Sequence, residues 1–251
     1  AVLADTSDEQ VKELHARAAE WLFLHSPEAD RELALHLAGA GRDGEALEHA
    51  ERGVSAAAAQ LDFPTVESLQ TLIYSVSVRL GERGVQAKAC LELGRSLSRR
   101  SSFSNAVRYL TEGLDLAVDP DDKLDLLVEL GFALVKSARL EEARPIVRAC
   151  FKSLKVNVPT NPMARYLRAA LLWKKFLSRL DKNITPPSAR PDRRVEATGR
   201  LLRLASEMGS LSGDISLFAA STALGCLYSI EYPFAAFSVC LSHAGILSAL
   251  T

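Results

Sequence analysis

Large rings and soft sulfur side chains are scarce in this chain: aromatics make up 6% of it, with only 2 Trp and 2 Met. A core built on stacked rings is therefore excluded, and apolar burial must come from Ala, Leu and Val through close contacts. Cysteine is equally thin. The 4 cysteines, Cys90, Cys150, Cys226 and Cys240, stand alone, without a C-x-x-C or a Cys/His pair at metal spacing. That excludes a disulfide framework and a structural zinc site, and predicts buried reduced thiols. No excess of one charge exists either, with 30 basic against 31 acidic side chains, so the whole chain has no bulk attraction for nucleic acid. Period-two alternation of apolar residues is missing, and with it any expectation of a sheet.

The motifs that carry chemistry are absent too. There is no G-x-x-x-x-G-K-[ST], no G-x-G-x-x-G after a strand and no H-E-x-x-H. Five histidines are scattered. His36 and His49 lie symmetrically about the Gly41–Asp43 turn and are expected to meet across a helical hairpin, with Glu32 one turn before His36. A pair supplies too few ligands for a metal, so hydrogen-bonded histidines are the reading. No catalytic residue, cofactor or metal ligand is expected.

What is present is a repeat. Leu93-Gly94 is followed by Leu97, Phe103, Ala106, Leu110 and Gly113; Leu130-Gly131 is followed by Leu134, Leu140, Ala143, Val147 and Cys150. Every landmark recurs 37 residues on. The spacing predicts two helical hairpins, about 85–118 and 122–155, with Gly in each first helix and Ala in each second allowing close approach. A Leu-Gly, an aromatic or Leu three on, and an Ala twelve past the Gly resemble the tetratricopeptide (TPR) repeat. The resemblance implies an all-α superhelix of antiparallel helix pairs.

Upstream, Ser7 or Thr6 followed by Asp8 and Glu9 predicts a helix start. Pro27 is expected in the first turn of a second helix closed by Gly41. A third runs from about Gly44 to Leu61, a fourth carries Phe63, Val66, Gln70 and Ile73, and a fifth starts near Gly84. His15, Ala18-Ala19, Leu33, His36-Leu37, Ala40-Gly41, Ala46 and Ala50 resemble the segment that follows the nucleotide-binding domain in large signalling ATPases, among them LuxR-type regulators and ATPase-coupled adenylate/guanylate cyclases. KSLKVNVPTNPMARYLRAALLWKKFLSRL, ATGRLLRLASEMG and LGCLYSIEYPFAAFSVCLSHAG follow the order seen in the cyclase-type proteins. Gly225, Tyr228, Phe237 and Leu241 fall on a further, degenerate repeat. The expected organisation is helical repeats over 1–158, a basic helix with a Pro/Arg-rich loop over 159–194, and a degenerate repeat over 195–251. The chain reads as cut from a larger cytosolic protein.

Charge is unevenly spread. Residues 1–90 hold 15 acidic and 8 basic side chains, and residues 151–195 hold 2 acidic and 11 basic. Within the basic segment, Leu167, Ala170, Leu171, Lys174 and Leu177, flanked by Tyr166, Trp173 and Phe176, predict the packed face of a helix. Arg168, Lys174, Lys175 and Arg179 form the candidate basic face, either solvated, lying on an anionic membrane or filling a partner's groove. The uncharged runs Ile215–Ile230 and Tyr232–Thr251 read as helices buried by neighbours rather than a membrane hairpin.

A candidate groove follows from the TPR resemblance, in which first helices line the concave side. It places Lys88, Leu91, Arg95, Ser98 and Arg99 on one wall and Asp125, Val128, Phe132 and Val135 on the next. Such a wall suits a protein or peptide with an acidic group beside an apolar anchor, unless another helix of the chain covers it. The expected function is a non-catalytic scaffold for protein–protein interaction or intramolecular regulation, cytoplasmic, in a signalling ATPase or cyclase. The alternatives are a lid integral to that enzyme or a membrane-surface adaptor.

Overall fold

A computed structural model describes residues 7–180 and 192–232. Among these residues every regular element is a helix, and no strand occurs. There are eleven: α1 (Asp8–His25), α2 (Asp30–Gly39), α3 (Asp43–Ala59), α4 (Phe63–Leu80), α5 (Arg83–Arg99), α6 (Phe103–Leu116), α7 (Pro120–Lys136), α8 (Leu140–Ser153), α9 (Pro162–Leu180), α10 (Arg193–Ser212) and α11 (Ile215–Glu231). The expected loop over 181–191, Cys240 and the repeat positions Phe237 and Leu241 lie outside the described residues.

Helix starts follow the sequence closely. Ser7 Oγ accepts from the Gln10 N–H while Gln10 Oε1 accepts from the Ser7 N–H, a reciprocal box that satisfies two end donors. Asp62, Asp192 and Asp214 cap α4, α10 and α11 more simply, each carboxylate accepting from the N–H three residues on. Pro27 is the exception. The chain still turns there, with the Ala29 N–H donating to the Ser26 carbonyl, and α2 starts only at Asp30.

Six of the turns share one geometry. A residue with positive φ follows a helix at Gly41, Leu61, Gly81, Ser101, Ala138 and Lys155. In each case the next N–H reaches back to a carbonyl five residues earlier: Arg42 to Leu37, Asp62 to Ala57, Glu82 to Ser77, Ser102 to Leu97, Arg139 to Leu134, Val156 to Phe151. This bond satisfies end carbonyls that would otherwise lack a donor. Three glycines adopt this region easily, Gly41, Gly81 and Gly213; Leu61, Ser101, Ala138 and Lys155 adopt it against the clash of their Cβ atoms.

Two compact units result, Ala1–Asp122 and Lys123–Thr251, and the division falls inside α7. In the first, α1 to α6 pack in chain order, each helix on the one before, and α2 also reaches α4. Ala19, Leu33, Leu37, Ala46 and Val76 make one core cluster, and Ala34, Ala50, Leu69, Ile73 and Ala89 the next. Small residues set these approaches: a Cβ on Gly39 would lie 2.6 Å from the His15 ring, and one on Gly94 would lie 2.5 Å from Leu110. In the second unit α9 and α10 both pack on α11, and α10 returns to α8. Phe176, Leu202, Cys226 and Leu227 form its core, with Trp173 against them.

The two copies of the repeat bury the same alanines, since Ala106 and Ala143 are both fully buried. Their glycines differ. Gly94 receives Leu110 of its own hairpin, whereas the atoms nearest a Cβ on Gly131 belong to Leu204 of α10. Cys90, Cys150 and Cys226 are buried thiols, and burial pushes Cys90 and Cys150 up to about 12. Among the described residues no helix is long and apolar enough to cross a membrane.

Candidate partner-binding surfaces

The histidines pair differently from the hairpin expectation. His36 Nδ1 lies 2.9 Å from His15 Nδ1 of α1, one ring donating to the other. His49 Nδ1 lies 2.8 Å from Asp30 Oδ1, and Arg52 Nε donates to the same oxygen at 3.0 Å. His15 as the partner of His36, and Asp30 as that of His49, thus replace the expected His36–His49 contact. Burial, then the neighbouring His15, holds His36 below the ordinary imidazole range, and Glu32 opposes them. No group of three or more potential metal ligands occurs among the described residues.

On α5, Lys88 and Arg99 are exposed, and the Arg99 guanidinium sits 5.6 Å over the Phe63 ring. Arg95 is drawn sideways by Glu92, Nη1 to Oε1 at 2.5 Å. Leu91 is buried and offers nothing to a partner. The expected α7 wall fares worse. Val128 and Val135 are buried, and the Arg203 guanidinium of α10 lies 5.5 Å over the half-buried Phe132 ring. Around this ring α10 is fastened by charge: Arg193 to Asp125 at 2.9 Å, Arg200 to Glu129 and Asp125, and Lys136 to Glu207 at 2.7 Å. The α7 face is thus occupied by α10, the outcome in which another helix of the chain covers Val128 and Phe132, and no open groove stands there.

The basic helix is turned relative to expectation. Trp173 and Phe176 join Leu202 of α10 and Cys226 and Leu227 of α11, with Leu172 beside them, and Ala169 is buried. The aliphatic stripe expected to pack points outward instead: Leu167 is 63% exposed, Leu171 70% and Leu177 48%, and Met163, 67% exposed, extends it. Helical spacing puts Met163, Tyr166, Leu167, Ala170, Leu171, Lys174 and Leu177 on one arc. Lys175, Arg168 and Arg179 flank it on one side. Lys174 and Lys175 are exposed, while Arg168 is half-buried and its Nε lacks a hydrogen-bond partner among the described residues. The physical reason is an apolar surplus. The helix carries two apolar arcs, and the aromatic one fills the space between α10 and α11.

A second feature escaped sequence reasoning because its parts are far apart. Between α8, the 154–161 connection, α9 and α11 lies a cavity of about 110 Å³ lined by Arg144, Arg148, Phe151, Thr160, Arg165 and Asp214 among others. A shallower basin of about 420 Å³ adjoins it, sharing Arg148, Phe151, Val158 and Thr160 and adding Lys152, Lys155 and Val156. Asp214 Oδ2 accepts from Arg165 Nη1 at 3.0 Å, and its Oδ1 from the Leu217 N–H and the Ser216 hydroxyl. Burial alone would raise this carboxyl; the bonds from Ser216 and Leu217 and the charge of Arg165 outweigh it and hold Asp214 low. Comparison with family models and with curated proteins finds no match for this chain.

Proposed function

We propose that the chain is a non-catalytic, TPR-like α-solenoid arm that docks a protein partner or another domain of its own larger protein. The outward apolar arc of α9 carries this reading. Four large aliphatic side chains exposed along one helix, with Lys174, Lys175 and Arg179 on or beside the arc, form a surface suited to an apolar groove with an acidic rim. Successive helices, six of whose connections repeat one turn, support the solenoid reading. The likeness of His15–Ala58 and of the basic segment to signalling ATPases suggests the setting: a cytosolic ATPase or ATPase-coupled nucleotide cyclase, in which this arm regulates rather than reacts.

The test is a photo-crosslinking residue at Leu171 in the protein expressed from its whole reading frame. Cross-links to a defined acidic, apolar-grooved surface, within the same protein or on a second one, are expected, with a residue at exposed Glu13 as control. Equal, scattered labelling from both positions would refute docking through α9. The same helix could instead lie on an anionic membrane surface. Sedimentation with phosphatidylserine vesicles that is lost in the Lys174→Glu/Lys175→Glu variant would replace the protein partner by a lipid.

A further inference from the structure

The cavity beside α9 gathers cations that the outward arc does not use. Arg144 and Arg148 come from successive turns of α8, and Arg165 comes from the first turn of α9. Lys152 and Lys155 stand at the adjoining basin. Against these five cations the two cavities hold one carboxylate, Asp214, already saturated by Ser216, Leu217 and Arg165. Glu141 draws on Arg144 at 3.1 Å from an exposed position. Arg148 is exposed at the junction of the two cavities.

Arg165 is the informative member. Its side chain keeps 12% of its exposure, and among the described residues its guanidinium makes one hydrogen bond, to Asp214. Its Nε is buried with no partner. A guanidinium has five donors in a rigid fork suited to two-pronged capture of an oxyanion. A charged group buried this far and engaged this little is costly unless something completes its shell. Asp214 grips one nitrogen, so it fixes the fork in place and leaves the remainder for a ligand.

We propose that this cavity binds a phosphoryl group, and that the basin beside it takes the apolar body to which that group is attached. Three arginines with two lysines nearby call for more than one negative charge, which a phosphoryl dianion supplies and a single carboxylate does not. A volume of about 110 Å³ is several times the ~10–15 Å³ that a single water requires. Phe151, Val156 and Val158 give the basin an apolar base. The site is separate from the α9 arc, because Lys174 and Lys175 line neither cavity.

Calorimetric titration with phenyl phosphate, inorganic phosphate and benzyl alcohol at matched ionic strength tests this. Phenyl phosphate should bind saturably and more tightly than inorganic phosphate, and benzyl alcohol should not bind. Affinity for phenyl phosphate should strengthen as pH rises through about 6, where the second phosphoryl proton leaves. Arg148→Met should weaken binding about tenfold or more, corresponding to at least ~1.4 kcal/mol. Its exposure keeps that variant informative if Arg165→Met fails to fold. Lys174→Glu/Lys175→Glu should leave binding within about twofold, since long-range charge at the outer face is screened by salt. No saturable binding by phenyl phosphate, an unaffected Arg148→Met, or equal losses from both variants would overturn the site. With the site established, competition by a phosphoserine peptide and by adenosine monophosphate identifies the natural source of the phosphoryl group: the better competitor names it.

Discussion

Leu204 of α10 fills the space where Gly131 of α7 has no side chain, at 2.5 Å from where a Cβ would stand. The equivalent Gly94 receives Leu110, and there both the Cγ and a Cδ come within 2.5 Å. A Leu Cδ can rotate away, while a Cγ cannot leave without moving its helix. Gly94→Ala is therefore expected to destabilise by about 1–3 kcal/mol through overpacking. Gly131→Ala should be near neutral, the clash being offset by the ~1 kcal/mol helix preference of Ala over Gly. Denaturant midpoints of the two variants check the ordering. Equal losses would show that both glycines meet equally rigid neighbours.

Ala138 ends α7 with φ 59°, a left-handed conformation that Ala resists. Ala138→Gly should stabilise the chain by roughly 1 kcal/mol, and Gly81→Ala, at φ 71°, should cost a similar amount. Thermal melts of both variants would move in opposite directions. A drop in both would mean that flexibility in the unfolded chain, not strain in the turn, controls these positions.

Acid should loosen α1 from α2. His36 is held below its ordinary value by burial and by His15. Its contribution is complete above the unfolded value near 6.5 and is lost as pH falls through its lower folded value. Trp21, stacked on His25 with 4.5 Å between centroids, reports the change. Its fluorescence should shift as pH falls through the lowered His36 value, and in His15→Phe the shift should shrink or vanish.

At the alkaline end Tyr74 is the group to watch. Its hydroxyl donates to Glu112 Oε1 at 2.6 Å, and that bond, with burial, pushes it up to about 12. The stabilisation is whole below the free value of about 10 and lost as pH rises through the folded value. Tyr74→Phe should cost about 1 kcal/mol near neutral pH and progressively less in strong alkali. Chemical unfolding across that range tests it; a loss independent of pH would point to packing alone.

How much of this was legible in the residues depends on how local the signal is. Helix starts were legible at Ser7 and turns at Gly41, because a cap or a left-handed glycine is written in three or four adjacent residues. Leu61, Ser101, Ala138 and Lys155 make the same turn without announcing it, since packing of the flanking helices imposes their φ. The face of α9 was misread for a different reason. Periodicity marks an apolar arc but cannot say which of two will find a neighbour, and Trp173 and Phe176 outcompeted Leu167 and Leu171. His15 and His36 share a contact across 21 residues, a distance at which hairpin symmetry offered His49 instead. The arginine cavity draws on positions from Arg144 to Leu217, so no window of sequence contains it.

The reach of α10 has a consequence for the order in which the chain acquires structure. In the first unit each helix closes on its predecessor, and even the Tyr74–Glu112 bond spans only 38 residues. The Arg193–Asp125 and Arg200–Glu129 contacts span 68 and 71. Nearby contacts form before distant ones, since a short loop closes at smaller entropic cost. During synthesis α1 to α6 can settle as they emerge, whereas α7 must wait with Asp125, Glu129 and Phe132 uncovered until α10 arrives. In that interval the two acids keep the exposed face soluble, a service these side chains perform before they ever meet an arginine.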